Sequence, residues 1–292
     1  MNEPVLSASR LSKDFGEKHV LRDINVSAAP GDIVGVLGKN GAGKTTLLEL
    51  LLGFGPPSAG IASLFGAPSM ELSDADKARI GYVPQRDELV EIMTGDQQLK
   101  LISSFRQNWD STLVDRLVAE WEIPLATRIA KMSVGERQKL SVLLALAHRP
   151  ELLILDEPVA SLDPIARRQF LRQLLDIAEM ADRCVVFSSH IVSDLERAAD
   201  TIWILKDGEL VWQGALDMLK EGVVRIHVRK SGATAFSAGL PGLLSCRTEG
   251  TAAVMAVADW SAERESVFEN EIGSDYRIER LSLEDIFVEL HG

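Results

Sequence analysis

Cysteine is nearly missing from this chain: Cys184 and Cys246 are the only two in 292 residues. Lone and far apart, they exclude a disulfide framework and a cysteine-built zinc site, and they fit a reducing compartment. The five histidines show no His-x-x-x-His or comparable ligand spacing. Basic charge is short too. Lys and Arg number 31 against 43 Asp and Glu, a formal net charge of −12, so nucleic acid is not an expected partner. Long apolar runs are also lacking: Leu140–Ala147 and Leu152–Leu155 are far too short to cross a bilayer. The start, Met1-Asn2-Glu3-Pro4, carries an acid and no apolar stretch, so no signal peptide is expected. No internal repeat or low-complexity tract is found. What remains, 46% hydrophobic and 25% charged residues, is an ordinary soluble composition with enough length for about two domains.

Against this background one stretch stands out. Ile33, Val34, Val36 and Leu37 read as a buried parallel strand, and Leu47, Leu48, Leu51 and Leu52 recur at helical spacing. Between them lies Gly38-Lys39-Asn40-Gly41-Ala42-Gly43-Lys44-Thr45-Thr46, a P-loop. Gly38, Gly41 and Gly43 let the backbone wrap closely and turn its amides inward around phosphates. The helix that begins near Gly43 adds the positive end of its dipole. Lys44 brings a full charge, and the Thr45 hydroxyl is placed to ligate Mg2+.

The rest of the chain reads as α/β. Residues 4–32 carry two short strands, with Phe15 on the loop before Gly16; on its own Phe15 reads as a core aromatic at a turn. Ile61–Phe65 and Ile80–Val83 are further strands, the latter closed by Pro84 and Gln85. From Thr94 to about Arg149 the pattern is helical, an insert marked by Leu99 and Ile102, then Leu113, Leu117 and Trp121, then Leu140, Leu143, Leu144 and Leu146. Pro124 is expected to end the second of these helices. Leu152–Leu155 is a continuous apolar run, hence a buried parallel strand, and Cys184–Phe187 is another. Phe170, Leu171, Leu174, Leu175 and Ile177 fit a helix between them. Thr201–Leu205, Asp207-Gly208 and Leu210–Trp212 form a hairpin. Near Lys220 the character shifts. Val224, Ile226 and Val228 alternate, as do Val254, Ala256 and Ala258, and a last helix shows Leu283, Ile286, Phe287 and Leu290 on one face. This gives two domains, 1–220, with a helical subdomain at about 90–150, and 221–292, a small α+β appendage.

The chemistry gathers where strands end. Asp156 and Glu157 follow the Leu152–Leu155 strand, at the carboxyl end where open α/β sheets place ligands. Asp156 is the expected Mg2+ carboxylate and Glu157 a natural general base for a water attacking the γ-phosphate. Gln85 could reach the metal or the water with its amide oxygen. His190, after Ser188-Ser189, could contact the γ-phosphate.

With these residues in order, the chain resembles the ATP-binding cassette (ABC) transporter ATPase subunits over about residues 4–215. Met132-Ser133-Val134-Gly135-Glu136-Arg137-Gln138 is similar to the family signature and lies shortly before the Asp156 strand. Ser161-Leu162-Asp163 resembles the D-loop, Gln85 the Q-loop and His190 the switch histidine. The resemblance implies the fold of a P-loop NTPase cassette, with a mixed sheet core, an antiparallel β subdomain and a helical subdomain. It makes Phe15 the platform for the adenine ring. It assigns ATP contacts to the P-loop run Gly38–Thr46, to Ser133, Gly135, Glu136 and Asp163, and catalytic roles to Glu157, His190 and Gln85. It implies metal contacts by Thr45, Gln85 and Asp156. It also implies a second ATPase subunit, identical or paralogous, whose signature segment closes each ATP site. Separate integral membrane permease subunits and a place on the cytoplasmic face of the membrane follow as well. The tail Leu281–Gly292 resembles ABC-2 type export ATPases, which points to export. No Asn-Lys-x-Asp guanine-reading motif appears, so a GTPase is not expected.

Two positions depart from the family pattern. Met132 stands for the usual leucine, and Val134 for the first signature glycine. A β-branched residue does not readily take φ > 0. The backbone there must then be less glycine-like, or the signature must tolerate valine. With Ser133 and Gly135 kept, the site is expected to be active but slow, the alternatives being a non-transport ABC-type ATPase or a hydrolysis-poor nucleotide-binding regulator.

Overall fold

A computed structural model describes residues 3–160, 162, 164, 167, 168, 170–172, 175, 183–229, 240–249, 252–272 and 275–291. The chain forms two compact units, Met1–Gln213 and Gly214–Gly292.

In the first unit, strands β1 (Leu6–Phe15) and β2 (Lys18–Ala28) form a long hairpin. Strand β3 (Ile33–Leu37) is buried along its whole length and runs into helix α1 (Lys44–Leu51). Next come β4 (Ala59–Leu64), the short β5 (Ala67–Pro68), helix α2 (Asp74–Ala78) and β6 (Ile80–Val83). The helical insert holds α3 (Gly95–Ser103), α4 (Ser111–Glu120) and α5 (Val134–Leu146). The second of these ends at Trp121, whose amide caps it, before Pro124 is reached. An isolated antiparallel bridge, Thr94 to Arg128, ties the start of the insert to the segment between α4 and α5. Strand β7 (Leu152–Leu155) follows. Of the expected helix after it, Phe170, Leu171 and Leu175 are helical, while Leu174 and Ile177 lie outside the described residues. Strand β8 (Cys184–Ser189), helix α6 (Val192–Ala198), and strands β9 (Thr201–Lys206) and β10 (Glu209–Ala215) complete the unit.

Two sheets result. β2-β1-β4-β5 is antiparallel, and β10-β9-β3-β8-β7-β6 is mixed. In the second sheet β9, β3, β8, β7 and β6 are all parallel. Strand β10 returns from β9 through Asp207 and Gly208, both at positive φ (50° and 83°), as a two-residue hairpin turn of this hand requires. The core between α1 and the two sheets includes Leu6, Leu21, Leu47, Leu51, Val34, Val36 and Trp203. Because β3, β8, β7 and β6 lie side by side and point the same way, their carboxyl ends form one edge. Leu37 pairs with Ser189, Leu155 with Phe187 and Val83 with Leu155. Residues far apart in sequence therefore meet there.

The second unit begins at helix α7 (Leu216–Gly222). It is a four-stranded antiparallel sheet, β12-β13-β11-β14, built from β11 (Val224–Val228), β12 (Leu243–Glu249), β13 (Ala252–Val257) and β14 (Tyr276–Arg280). Two more helices are α8 (Ala262–Ile272) and α9 (Leu283–His291). Strand β12 and helix α8 lack a strong pattern and were not expected. On one face Val224, Ile226 and Val228 pack with Ala253, Met255, Val257 and Phe268. That corrects the expected alternation of β13: its core residues are one position earlier than Val254 and Ala256, and a one-residue slip changes the face. Helix α9 buries Leu283, Ile286 and Glu289. Phe287 and Leu290, expected on that face, are half-buried. Ser282 caps α9 through its hydroxyl, which accepts from the Asp285 amide at 3.1 Å.

Candidate functional site

The loop between β3 and α1 is shaped by its glycines. A Cβ on Gly38 would lie 2.8 Å from the Leu205 carbonyl oxygen. Gly43 sits at φ 104°, and a Cβ there would lie 2.7 Å from Leu21 Cδ2. Gly41 has open space around it but φ 82°. Only glycine satisfies both the close approach and these left-handed angles at no steric cost. The loop wraps around the side chain of Lys44, which is 5% exposed. Its Nζ donates to the Gly38 carbonyl at 2.9 Å and to that of Lys39 at 3.4 Å.

Strand β7 brings the carboxylates. Asp156 is fully buried, and its amide bonds to the Val83 carbonyl at the tip of β6. Thr45 Oγ1 donates to Asp156 Oδ2 at 2.6 Å, and Ser188 Oγ donates to Asp156 Oδ1 at 2.5 Å. Glu157 follows at φ 50°, a left-handed angle that costs a non-glycine residue roughly 1–2 kcal/mol. The turn is held by the Glu157 amide, which donates to Ser188 Oγ at 2.8 Å. It swings the carboxylate between Lys44, 3.4 Å from Oε1, and His190 Nδ1, 3.0 Å from Oε2. Strain of this kind, over-determined by neighbours, collects at functional sites.

A cavity of about 510 Å³ opens here. Asn40, Gly41, Gly43, Lys44, Thr45 and Thr46 line it from the P-loop, and Gln85 and Glu157 from the strand tips. Phe15, Lys18 and Val20 line it from β1 and β2. Gly38, Lys39 and Ala42 lie outside the lining, the first two holding Lys44 from behind. Phe15 is 58% exposed, with Lys13 Nζ 5.0 Å from its ring centre. It is not the core aromatic that its sequence position alone predicts. Its open ring face suits a stacking partner. A phosphate chain fits the cradle that the glycines shape. For a metal, the donors at hand are the Thr45 hydroxyl, the Asp156 carboxylate and the Gln85 amide. These are hard oxygen ligands of the kind Mg2+ takes when phosphates and waters complete its shell. The half-buried Tyr82 phenol nearby is pushed above its usual value by burial first and then by Asp156, Glu49 and Glu88.

The signature segment is elsewhere. Ser133 caps α5, and Ser133, Gly135 and Glu136 do not line the cavity of their own chain. Val134, the first residue of α5, is 60% exposed and is not at positive φ. The backbone there asks for no glycine, which removes the structural reason for expecting a crippled site. Asp163 and Ser161 lie outside the described residues.

Sequence reasoning missed two partners. Ser188 was seen only as part of the run before His190. Fully buried, it ties Asp156 to the backbone of Glu157. A hydroxyl at the end of an otherwise apolar strand was the available signal. Arg137 pairs with Asp87 at 2.7 Å and with Glu91 at 3.4 Å, linking α5 to the segment after Gln85.

Known proteins share these features. A family model described as ABC transporter matches residues 21–160. The chain is 31% identical over 211 residues to the bacitracin transport ATP-binding protein BcrA of Enterococcus faecalis, covering 72% of this chain and 68% of the relative. It is 31% identical over 220 residues to the Nod factor export ATP-binding protein I of Paraburkholderia xenovorans, covering 74% and 72%. Among solved structures, an ATP binding subunit of an ABC transporter superposes with a TM-score of 0.67 at 27% identity, over 74% of this chain and 92% of that one. The dimeric cassette MJ0796 bound to ADP and Pi has the same fold, with a TM-score of 0.65 at 22% identity, over 72% and 98%.

Proposed function

The chain belongs to the ABC transporter ATP-binding family, and from that premise we propose that it is the ATP-hydrolysing subunit of an exporter, working with separately encoded membrane subunits. One observation carries the reading: Lys44, Thr45 and Glu157 line one cavity, with Asp156 hydrogen-bonded to Thr45 and His190 to Glu157.

In this reading Lys44 and the P-loop amides hold the β- and γ-phosphates, and Phe15 stacks on the adenine. Thr45, Asp156 and Gln85 hold Mg2+, which neutralises charge on the phosphates when bound. Glu157 accepts the proton of the attacking water, a role that contributes about 10²–10⁴-fold. His190 fixes one oxygen of that carboxylate. Lys44 engages the other, 3.4 Å away, until phosphate oxygens compete for the ammonium. Ser133, Gly135 and Glu136 serve the site of a second cassette, a copy or a paralogue, since they stand outside the cavity of their own chain. Asp163 is assigned to the same junction. ATP closes the pair and hydrolysis opens it.

Among the described residues no helix is long and apolar enough to cross a membrane, so the pathway is assigned to permease subunits, with this chain bound at their cytoplasmic face. Export is favoured by the named relatives and by the tail Leu281–Gly292. The second unit is assigned to assembly rather than chemistry.

Glu157→Gln keeps the hydrogen bonds and removes the base. The expected result is intact ATP binding, turnover lowered about 10²-fold or more, and an ATP-dependent dimer on gel filtration. Normal turnover would remove Glu157 from the mechanism. Co-purification from detergent-solubilised membranes identifies the permease, and recovery of the chain with no membrane protein would count against the transport reading.

A further inference from the structure

The tip of α5 carries a hydrogen-bond pair that bears on how the cassettes come together. Ser133 and Glu136 form a reciprocal cap. The Glu136 amide donates to Ser133 Oγ at 3.3 Å, while Glu136 Oε2 accepts from the Ser133 amide at 2.7 Å and from the Ser133 hydroxyl at 2.9 Å. One carboxylate oxygen thus takes both donors of Ser133. A serine hydroxyl has a single proton to give, and here it is given inside the chain. The charge of Glu136 also sits at the positive end of a 13-residue helix, where it already satisfies part of what that end offers an anion. The neighbouring Arg137 does not offset it, because Asp87 and Glu91 hold its guanidinium and keep its pKa above the ordinary value. The tip is exposed at Ser133 and Val134, with Glu136 half-buried beside them, so a partner reaching it from solvent comes close to an acid.

We infer that Glu136 is a positioning residue that sets how much ATP the pairing of two cassettes requires, by holding the Ser133 hydroxyl and by placing a negative charge where the partner's nucleotide phosphate must arrive. This rests on the pairing proposed above. For Ser133 to donate to that phosphate, its hydroxyl must turn away from Oε2. The carboxylate must then stay within a few ångströms of the phosphate or swing out and leave the cap.

A glutamine at the third helical position closes the same reciprocal cap without the charge, so capping and charge are separable. The test uses full-length chains carrying Glu157→Gln as a common background, with dimer measured by light scattering across an ATP titration in Mg2+. Adding Glu136→Gln is expected to lower the ATP concentration at half-maximal dimer by roughly tenfold, the effect of removing one like-charge repulsion near a protein surface. The affinity of the monomer's own P-loop for a fluorescent ATP analogue and the melting temperature are expected to stay unchanged. Glu136→Ala, which also removes the cap, is expected to lower the melting temperature and separates the two roles. Equal half-points for background and Glu136→Gln overturn the inference and leave Glu136 a helix cap. A raised half-point overturns it by showing that the carboxylate aids the pairing. Absence of an ATP-dependent dimer in both overturns the pairing reading itself, and this inference with it.

Discussion

Each unit buries carboxylates, and the two treat them differently. In the first, Asp156 accepts hydrogen bonds from two neutral hydroxyls, Thr45 and Ser188, and Glu157 is shared between Lys44 and His190 at the wall of a cavity. In the second, the buried Glu289 is closed off. Arg225 donates to it at 2.9 Å and Ser245 at 2.5 Å, and Arg225 is surrounded further by Glu279 and Asp285. Burial pushes the Glu289 carboxyl up, but these two hydrogen bonds together with the charges of Arg225 and Arg247 outweigh it and hold the group below its ordinary value. A buried acid met by a guanidinium and a hydroxyl has its needs filled within the protein. One met by hydroxyls beside an open cavity has capacity left for a cation from outside. That difference, rather than burial itself, separates a site from a brace.

The largest test of the contrast is at Lys44. Lys44→Ala leaves the cradle without its cation, so ATP affinity by calorimetry is expected to fall at least about 100-fold, the scale of removing a charge-assisted hydrogen bond from a buried site. Unchanged affinity would refute the P-loop assignment. Next comes Glu289. Glu289→Ala leaves Arg225 only its longer pairs to Glu279 and Asp285 and is expected to loosen α9 by about 1–3 kcal/mol, read as roughly ten- to hundredfold faster amide exchange over 283–291, with ATP affinity unchanged. Its pH dependence has a definite sign. A carboxyl whose folded pKa is depressed contributes stability above its unfolded value, 4.5 for Glu, and that contribution disappears as pH falls through the folded value. Protection factors over α9, taken after correction for the intrinsic slowing of exchange in acid, should therefore fall as pH falls, and less so in Glu289→Gln. If either change at Glu289 weakens ATP binding in the full chain, the contrast fails. The smallest effect is at Phe15. Its ring is exposed, so Phe15→Ala should leave the melting temperature alone and weaken ATP by about 1–3 kcal/mol, the value of one aromatic–base stack. An equal loss for a triphosphate lacking the base would exclude stacking.

The sequence was most legible where backbone chemistry is restrictive. The P-loop, the Asp207-Gly208 turn and the apolar runs at β3, β7 and β8 read directly, because glycine at positive φ and buried parallel strands leave few alternatives. Ser188 was harder, since its role depends on β8 lying beside β7, an adjacency no local pattern encodes. At Val134 the reading that the backbone is less glycine-like agrees with its φ, which is not positive. In the second unit, Ala253, Met255 and Val257 were hidden because both faces of β13 are apolar enough to alternate plausibly. Glu289 was unreadable as a buried residue, because its partners Arg225 and Ser245 come from distant strands.

The parallel register has a consequence for how the molecule comes into being. Leu37 cannot meet Ser189, nor Thr45 meet Asp156, until the intervening chain has been made and folded. During synthesis the P-loop emerges early, yet Asp156 and His190 arrive much later. Such long-range pairings form slowly, so an incomplete chain holds a phosphate loop without the groups that complete the site. On the proposed reading, tight nucleotide binding becomes a mark of a finished first unit, and ATP would stabilise finished chains over partial ones by mass action.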